Sequence, residues 1–305
     1  MRSSLAVWRD RRGRLSALRV VTLAYLLLPI GLALAAAFTE ERFGARPVND
    51  LIHRAGFWTL VFLLTSLAVT PFARIGRYGG LLDVRRMLGV GAFCYAVVHI
   101  LLYITDQAFD LGKVGSEIVL RLYLTIGFTA LIGLLALAAT STDGMLRDLG
   151  TARWARLHQL VYLIAALALV HYFQQTKADV SVPTFVAGLL VWLMGYRIAV
   201  KIWKPKGNFT PWALLALTVA ATLTTMLGEA IGIAISFDVS PLLVLQMDYN
   251  FDLETIPAGW FVFGAGLCVV ALDIVRAWWR KPRAPAAVGS ARATAPVGKR
   301  AREPA

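Results

Sequence analysis

GVGAFCYAVVHILLYI (89–104) and RLHQLVYLIAALALVHYF (156–173) decide how this chain reads. Both are apolar runs of membrane-span character with imidazoles set into them. His99 lies near the end of the first, and His158 and His171 stand at opposite ends of the second. His53 opens a third run, LIHRAGFWTLVFLLTSLAV (51–69), and completes the four histidines of the 305 residues. An ionisable group in hydrocarbon is costly to keep, so an intramembrane histidine is a functional-site hypothesis by default. Neutral imidazole is a common metal ligand and an axial ligand of haem iron.

Composition agrees with a membrane solvent. Hydrophobic residues make up 58% of the chain and charged residues 16%, with a mean hydropathy of +0.65. A spanning helix needs about 20 mostly apolar residues. Eight stretches qualify, at 17–37, 52–72, 87–105, 118–140, 154–173, 182–200, 210–236 and 257–279.

A net charge of +13 would suggest nucleic acid in a soluble protein, but its placement argues for topology and no nucleic acid. Arg2, Arg9, Arg11, Arg12 and Arg14 precede the first span. Arg74, Arg77, Arg85 and Arg86 sit in the second connection, and Arg147, Arg153 and Arg156 in the fourth. Arg197, Lys201, Lys204 and Lys206 follow the sixth span, and the tail is basic again. The alternate loops are acidic or balanced, with Glu40, Glu41 and Asp50, then Asp106, Asp110 and Glu117, then Asp238, Asp248, Asp252 and Glu254. The positive-inside rule therefore expects both termini in the cytoplasm.

The first apolar run, about 20 residues, is longer than a secretory h-region, so it reads as an uncleaved span. Arg11-Arg12 reads as topology charge rather than a twin-arginine signal. Cys94 and Cys268 both fall in spans, which speaks against a secreted disulfide. No Cys-x-x-Cys-His occurs, and two isolated thiols cannot hold an iron–sulfur cluster. Any haem is therefore b-type.

Depth sharpens the histidine reading. With a cytoplasmic N-terminus, spans three and five both run outward, which puts His99 and His171 at similar depth near their outer ends. Two imidazoles at one depth can hold one porphyrin between them. His158 precedes His171 by 13 residues, about 20 Å down the axis, near the cytoplasmic face. Thirteen steps of about 100° leave the two rings roughly 140° apart on an ideal helix, so they need not face one neighbour. The ordinary reading of any one of these histidines is an interhelical hydrogen bond. His158, close to Arg153 and Arg156, reads either as an interfacial residue or as a ligand or cofactor contact. His53 reads as a capping or haem-propionate contact rather than an iron ligand.

The runs VRRMLGVGAFCYAVVHILLY (84–103), ITDQAF (104–109), RLYLTIGFTALIGLLALAATST (121–142) and LGTARWARLHQLVYLIAALALVHYF (149–173) carry a family pattern. So do Thr70-Pro71 after the second span, Arg85-Arg86, Arg121-x-Tyr123 and the stop at Thr140-Ser141-Thr142. Over residues 45–203 the chain resembles the haem-binding membrane subunits of bacterial protein-methionine-sulfoxide reductase systems. That family lies within the ferric-reductase-like transmembrane superfamily, alongside NADPH oxidases and ferric reductases.

The resemblance implies an all-α polytopic membrane protein, a six-helix ferric-reductase-like haem-binding core followed by two further transmembrane helices. The divisions expected are a basic cytoplasmic N-terminus (1–16), the core (17–207), two added spans (208–280) and a disordered cytoplasmic tail (281–305). By resemblance His99 and His171 take the outer haem-ligand positions, and His158 the inner ligand position. The superfamily's oxidases carry a second histidine on span three about four turns before the outer one; that place here is Arg85. This departs from bis-histidine ligation at both levels. The implied cofactors are haem b and FMN, with Arg85, Arg86, Arg153 and Arg156 suited to the flavin phosphate. The implied role takes electrons from membrane quinone to a periplasmic molybdopterin-containing catalytic subunit that reduces methionine sulfoxide. The location implied is the bacterial inner membrane.

About 25 residues, rich in Ala, Pro, Arg and Lys, follow the last span and read as disordered. No Gly-x-Gly-x-x-Gly opens a dinucleotide-binding unit, so an electron-transfer subunit without its own catalytic domain is expected. A transporter would show inverted repeats and broken spans, and none is evident. A pure anchor would not need buried histidines, and another cytochrome b-type electron carrier is the runner-up. In the added spans, Gly228-x-x-x-Gly232 reads as a close-packing pattern, with Glu229 either a proton relay or a partner of Thr222 or Thr225. Asp273 and Arg276, one turn apart, read as a pair. Residues 248–254 mimic the start of a calcium loop but lack its sixth-position glycine and distal glutamate.

Overall fold

The computed structural model describes residues 8, 14–38, 46–176, 179–204, 209–249 and 256–279. Arg2, Arg9, Arg11 and Arg12, Glu40 and Glu41, the calcium-like loop from residue 250, and the tail expected to be disordered lie outside the described residues. The elements are α1 (Ala17–Phe38), α2 (Pro47–Ile75), a 3-10 turn (Gly79–Val84), α3 (Arg85–Asp106), α4 (Leu111–Leu120), α5 (Leu122–Ala139) and α6 (Asp143–Leu149). They continue with α7 (Thr151–His158), α8 (Leu160–Gln175), α9 (Ser181–Trp203), α10 (Pro211–Phe237), α11 (Pro241–Tyr249) and α12 (Ala258–Trp279). Among the described residues, eight helices are long and apolar enough to cross a membrane, α7 and α8 together making the fifth. The chain is thus an all-α polytopic membrane protein.

Local chemistry sets the ends. Pro47 opens α2 with Asp50 in its first turn and Arg74 in its last, matching the helix dipole at both ends. Asp110 caps α4 by accepting from Lys113 N–H at 2.9 Å, Thr142 caps α6 from Met145 N–H, and Thr210 caps α10 from Ala213 N–H. The fourth span begins later than its hydropathy suggests. Arg121 is extended (φ −107°, ψ 108°) and separates the short α4 from α5, so residues 118–120 belong to a different helix.

At Gln159 the fifth span tightens, because Gln159 N–H bonds Arg156 O and Tyr162 N–H bonds Gln159 O, both three-residue steps. Such turns rotate the chain faster than an α-helix. His158 and His171 both meet α5, at its opposite ends.

The second span is the hub. Over half of its central window is buried (56%), against 39% for the next most enclosed span. Its core residues Phe62, Leu63 and Leu67 are almost fully enclosed. Pro71, expected just beyond the span, lies inside α2. A helical proline removes the N–H that would bond the carbonyl four residues back, here Leu67. That carbonyl is instead met by Arg197 Nη2 from α9. Ile75, at the C-terminus of α2, accepts from Arg276 Nη1 of α12 at 2.8 Å. Two arginines from later spans therefore satisfy carbonyls that α2 cannot serve itself, as a low-dielectric interior demands.

The added spans α10 and α12 pack on α9 and on each other. Their close approach is not at Gly228 and Gly232, where an added Cβ would meet open space. These two glycines lie on the exposed face of α10, opposite the buried Thr218, Thr222, Thr225 and Met226. The small-residue contact falls at Gly188, Gly259 and Gly266, against Val262 and Thr225, Met226, and Thr218. Thr225 donates to Ala221 O at 2.7 Å. A side chain at Gly266 has no room, so Gly266→Val should destabilise the α10–α12 pairing by about 1–3 kcal/mol, whereas Gly232→Val should be nearly neutral. Thermal unfolding of both variants in detergent checks the contrast.

Candidate functional site

The histidines of α3 and α8 meet. The ring centres of His99 and His171 are 6.2 Å apart, with planes at 82°. His99 Nδ1 donates to the carbonyl of Ile52 on α2 at 2.8 Å. His171 Nδ1 donates to the carbonyl of Tyr123, which opens α5, also at 2.8 Å. A carbonyl can only accept, so each Nδ1 carries the hydrogen and each neutral ring keeps its Nε2 lone pair. This is the arrangement that fixes tautomer and orientation in metal-ligating histidines.

Glycines make the approach possible. A Cβ at Gly56 of α2 would stand 3.1 Å from His99 Nδ1 and Cε1, and one at Gly127 of α5 would stand 2.7 Å from His171 Nδ1. Each imidazole thus lies flat in a notch of the neighbouring helix. The walls are aromatic: Phe57 tilts against Tyr172, and Tyr123 against His171.

The connection into α5 braces this level. Glu117 accepts from Tyr103 of α3 and pairs with Arg121 at 3.1 Å, while Arg121 also donates to the hydroxyl of Tyr123 at 3.1 Å. The side chain of Tyr123 is therefore held by the same network whose backbone holds His171. Arg121-x-Tyr123 is in this way a positioning motif.

The other end of the bundle holds His158. Its Nε2 lies 3.2 Å from the hydroxyl of Thr140, and its ring stacks on Trp154 at 3.9 Å. Trp154 donates to Thr140 O at 2.9 Å. His158 lines a pocket of about 310 Å³ with Arg85, Arg86, Ser66, Ser141 and Trp154, closed by leucines of α2 and α5. Arg86 also pairs with Asp143 at 2.5 Å. Arg197 from α9 bonds the carbonyl of Leu67, a residue that lines the same pocket, and lies over Tyr162.

Of the residues expected at the site, the structure unites His99 with His171 and His158 with Arg85 and Arg86. Arg153 and Arg156 are exposed on α7, away from the pocket lining, because they point off the face that carries His158. His53 is exposed and bonds Asn49 O within its own helix at 2.8 Å; it does not cap α2, whose N-cap is Arg46, and it lies within electrostatic reach of both His99 and His171. Gly56, Gly127, Trp154 and Arg197 escaped sequence reading. The glycines gave a usable signal, since glycine within an apolar span often marks close approach. Among the described residues, no group of three or more His, Cys, Asp or Glu could hold a bare metal ion.

Comparison with known proteins adds family relationships. Residues 54–169 match the ferric reductase like transmembrane component. The chain is 40% identical over 204 residues to the protein-methionine-sulfoxide reductase heme-binding subunit MsrQ of Rhodospirillum rubrum, covering 67% of this chain and 95% of that protein. The counterpart from Herminiimonas arsenicoxydans is 39% identical over 175 residues, 56% of this chain and 80% of that one. That of Xanthomonas campestris pv. campestris strain 8004 is 42% identical over 166 residues, 54% and 74%. No solved structure matches the chain.

The two notches differ in tightness, and the difference is measurable. An alanine methyl at Gly127 must displace His171, whereas one at Gly56 needs His99 to give only slightly. Gly127→Ala should weaken metal binding by the pair by about tenfold or more, in the range for losing a supporting contact of a ligand, and Gly56→Ala by less. Iron content per purified chain reports both, and equal, full loading would refute the role of the notches.

Proposed function

The chain belongs to the MsrQ family of protein-methionine-sulfoxide reductase heme-binding subunits, and on that premise we propose that it is a haem-carrying electron-transfer subunit of the bacterial inner membrane. It takes electrons from the quinone pool and delivers them to a periplasmic molybdopterin-containing catalytic subunit, its partner in a heterodimer, for repair of oxidised methionine. Both termini are then cytoplasmic, the His99–His171 level faces the periplasm and the His158 level the cytoplasm. The observation that carries the reading is the matched pair of neutral imidazoles with free Nε2 atoms.

The donor set fits haem b better than a bare ion. A metal shared by two imidazoles at about 2 Å per bond separates ring centres by about 6 Å when they face one another, against 6.2 Å here. Two protein ligands suffice when a macrocycle supplies the remainder. Bound there, haem b supplies a one-electron carrier whose potential follows axial ligation and burial. The residues do the rest: Ile52 and Tyr123 orient the imidazoles, Gly56 and Gly127 admit them, and Phe57 and Tyr172 keep water off the pair.

At the cytoplasmic level, His158, Arg85 and Arg86 offer a stacking, cationic pocket suited to FMN. Paired guanidinium groups bind a phosphate as charge-assisted donors, with Arg86 leaving Asp143 to do so. Arg153 and Arg156, exposed nearby, add attraction from outside the pocket. His158 then serves as a flavin contact or as an inner ligand, and Arg85 in place of a histidine favours the flavin.

Replacing Arg85 and Arg86 together by alanine should remove FMN, read by extraction and fluorescence, while haem absorbance persists. Loss of haem with flavin retained would reverse the two levels. His99→Ala and His171→Ala should each abolish the haem spectrum with insertion intact. The chain's role as carrier is tested by prereducing the haem and adding methionine sulfoxide. Reoxidation should need the periplasmic subunit, and fast reoxidation without it, or none with it, would defeat the reading.

A further inference from the structure

A second cavity, lined by none of the histidines, lies between the N-terminal and C-terminal parts of the bundle. It has a volume of about 860 Å³ and is walled by α1, α2, the 3-10 turn, the start of α3, α9 and α12. Along α2 it extends from Phe57 to Phe72, about 22 Å at the helical rise. One end therefore adjoins Gly56, the notch of His99, and the other reaches Val84, next to Arg85 of the inner pocket. Without α12, whose Val262, Ala265, Gly266 and Val269 line it, the slot would lack a wall. The added spans thus acquire a purpose.

Among the described residues, the lining contains no charged side chain. Water finds few partners in such a space, and a phospholipid headgroup finds no counter-charge. The polar atoms it does present are few and specific. Thr22 donates its proton to Leu18 O at 2.8 Å, and Thr65 donates to Val61 O at 2.8 Å. Because the Thr65 proton is committed, its oxygen accepts from Tyr25, 3.2 Å away. Trp192 spends its N–H on Thr218 at 3.1 Å. All these protons are engaged, and what remains to a ligand is the lone pairs of Thr22 and Tyr25. The slot accepts hydrogen bonds and has none of these donors to spare.

We propose that this slot binds a neutral prenyl lipid with a hydroxyl-bearing head, a quinol, with the isoprenoid tail along α2 and the head hydroxyl donating to Tyr25 and Thr22. The long apolar walls recognise the tail, and the acceptor-only head site prefers the reduced form, whose O–H groups donate, over the quinone, whose carbonyls cannot. The assignment rests on the quinone-fed reading above and gives it a place.

The test uses the purified full chain with haem bound and a photoreactive azido-ubiquinol probe, crosslinked sites being mapped by peptide mass spectrometry. Labels should fall on α1, α2, α9 and α12. Decylubiquinol should displace the probe at about tenfold lower concentration than decylubiquinone, and phosphatidylcholine should not displace it. Ala68→Phe with Ala265→Phe, which fill the slot, should cut labelling about tenfold or more with haem content unchanged. Tyr25→Phe combined with Thr22→Val should weaken the preference for the reduced form while keeping tail binding. Displacement by phosphatidylcholine, labels on other helices, or undiminished labelling in the filled variant would each overturn the site. The donor reading fails separately: a wild-type haem that quinol cannot reduce, with labels still in the slot, refutes quinol as donor and leaves the binding site standing.

Discussion

Two hydrogen bonds, His99 to Ile52 O and His171 to Tyr123 O, are the constraint around which this bundle is arranged. Interhelical bonds of this kind inside a membrane contribute only about 0.6 kcal/mol on average, so their value here is orientation rather than stability. Each commits Nδ1 and leaves Nε2 as the free ring nitrogen, and each ties a histidine-bearing helix to a neighbour. α3 is tied to α2 and α8 to α5, and the pairs α2–α3 and α5–α8 are the two tightest associations in the core. A glycine at each crossing lets the ring lie against backbone.

The second constraint is that α2 cannot complete its own hydrogen bonding. A helix-interior proline costs about 3 kcal/mol or more, and an unpaired polar group in an apolar interior costs a further few. Arg197 offsets this at Leu67, and Arg276 does the same at the end of the helix. In the sequence Arg197 reads as a topology charge and Arg276 as the partner of Asp273. Their bonds fasten α9 and α12 to the hub, and the slot between α1, α2 and α12 is the space this fastening encloses.

Much of this was legible beforehand because a bilayer makes sequence unusually informative. Twenty apolar residues can do little but form a spanning helix, and the eight spans fell close to their expected bounds. The matched depth of His99 and His171 follows from counting residues along two spans that run in the same direction, and their meeting at 6.2 Å agrees with it. The grouping of Arg85 and Arg86 with His158 was likewise readable from depth. Where expectation and structure part, facing is the cause. Arg153 and Arg156 share the depth of His158 yet point outward. Gly228 and Gly232 have the spacing of a packing motif yet lie on the open face of α10.

The sequence by itself determined membrane solvent, span number, and the depth of each histidine, because hydropathy and helical rise act along one dimension. Tertiary structure decided which side of each helix met which neighbour. Both histidines of the fifth span met α5, one at each end of it. The carbonyl freed by Pro71 drew in Arg197, and the seat of α12 on α9 and α10 turned an unexplained extension into a cavity wall. Azimuth and crossing are settled by side-chain packing between helices distant in sequence, and no count along a single chain contains them.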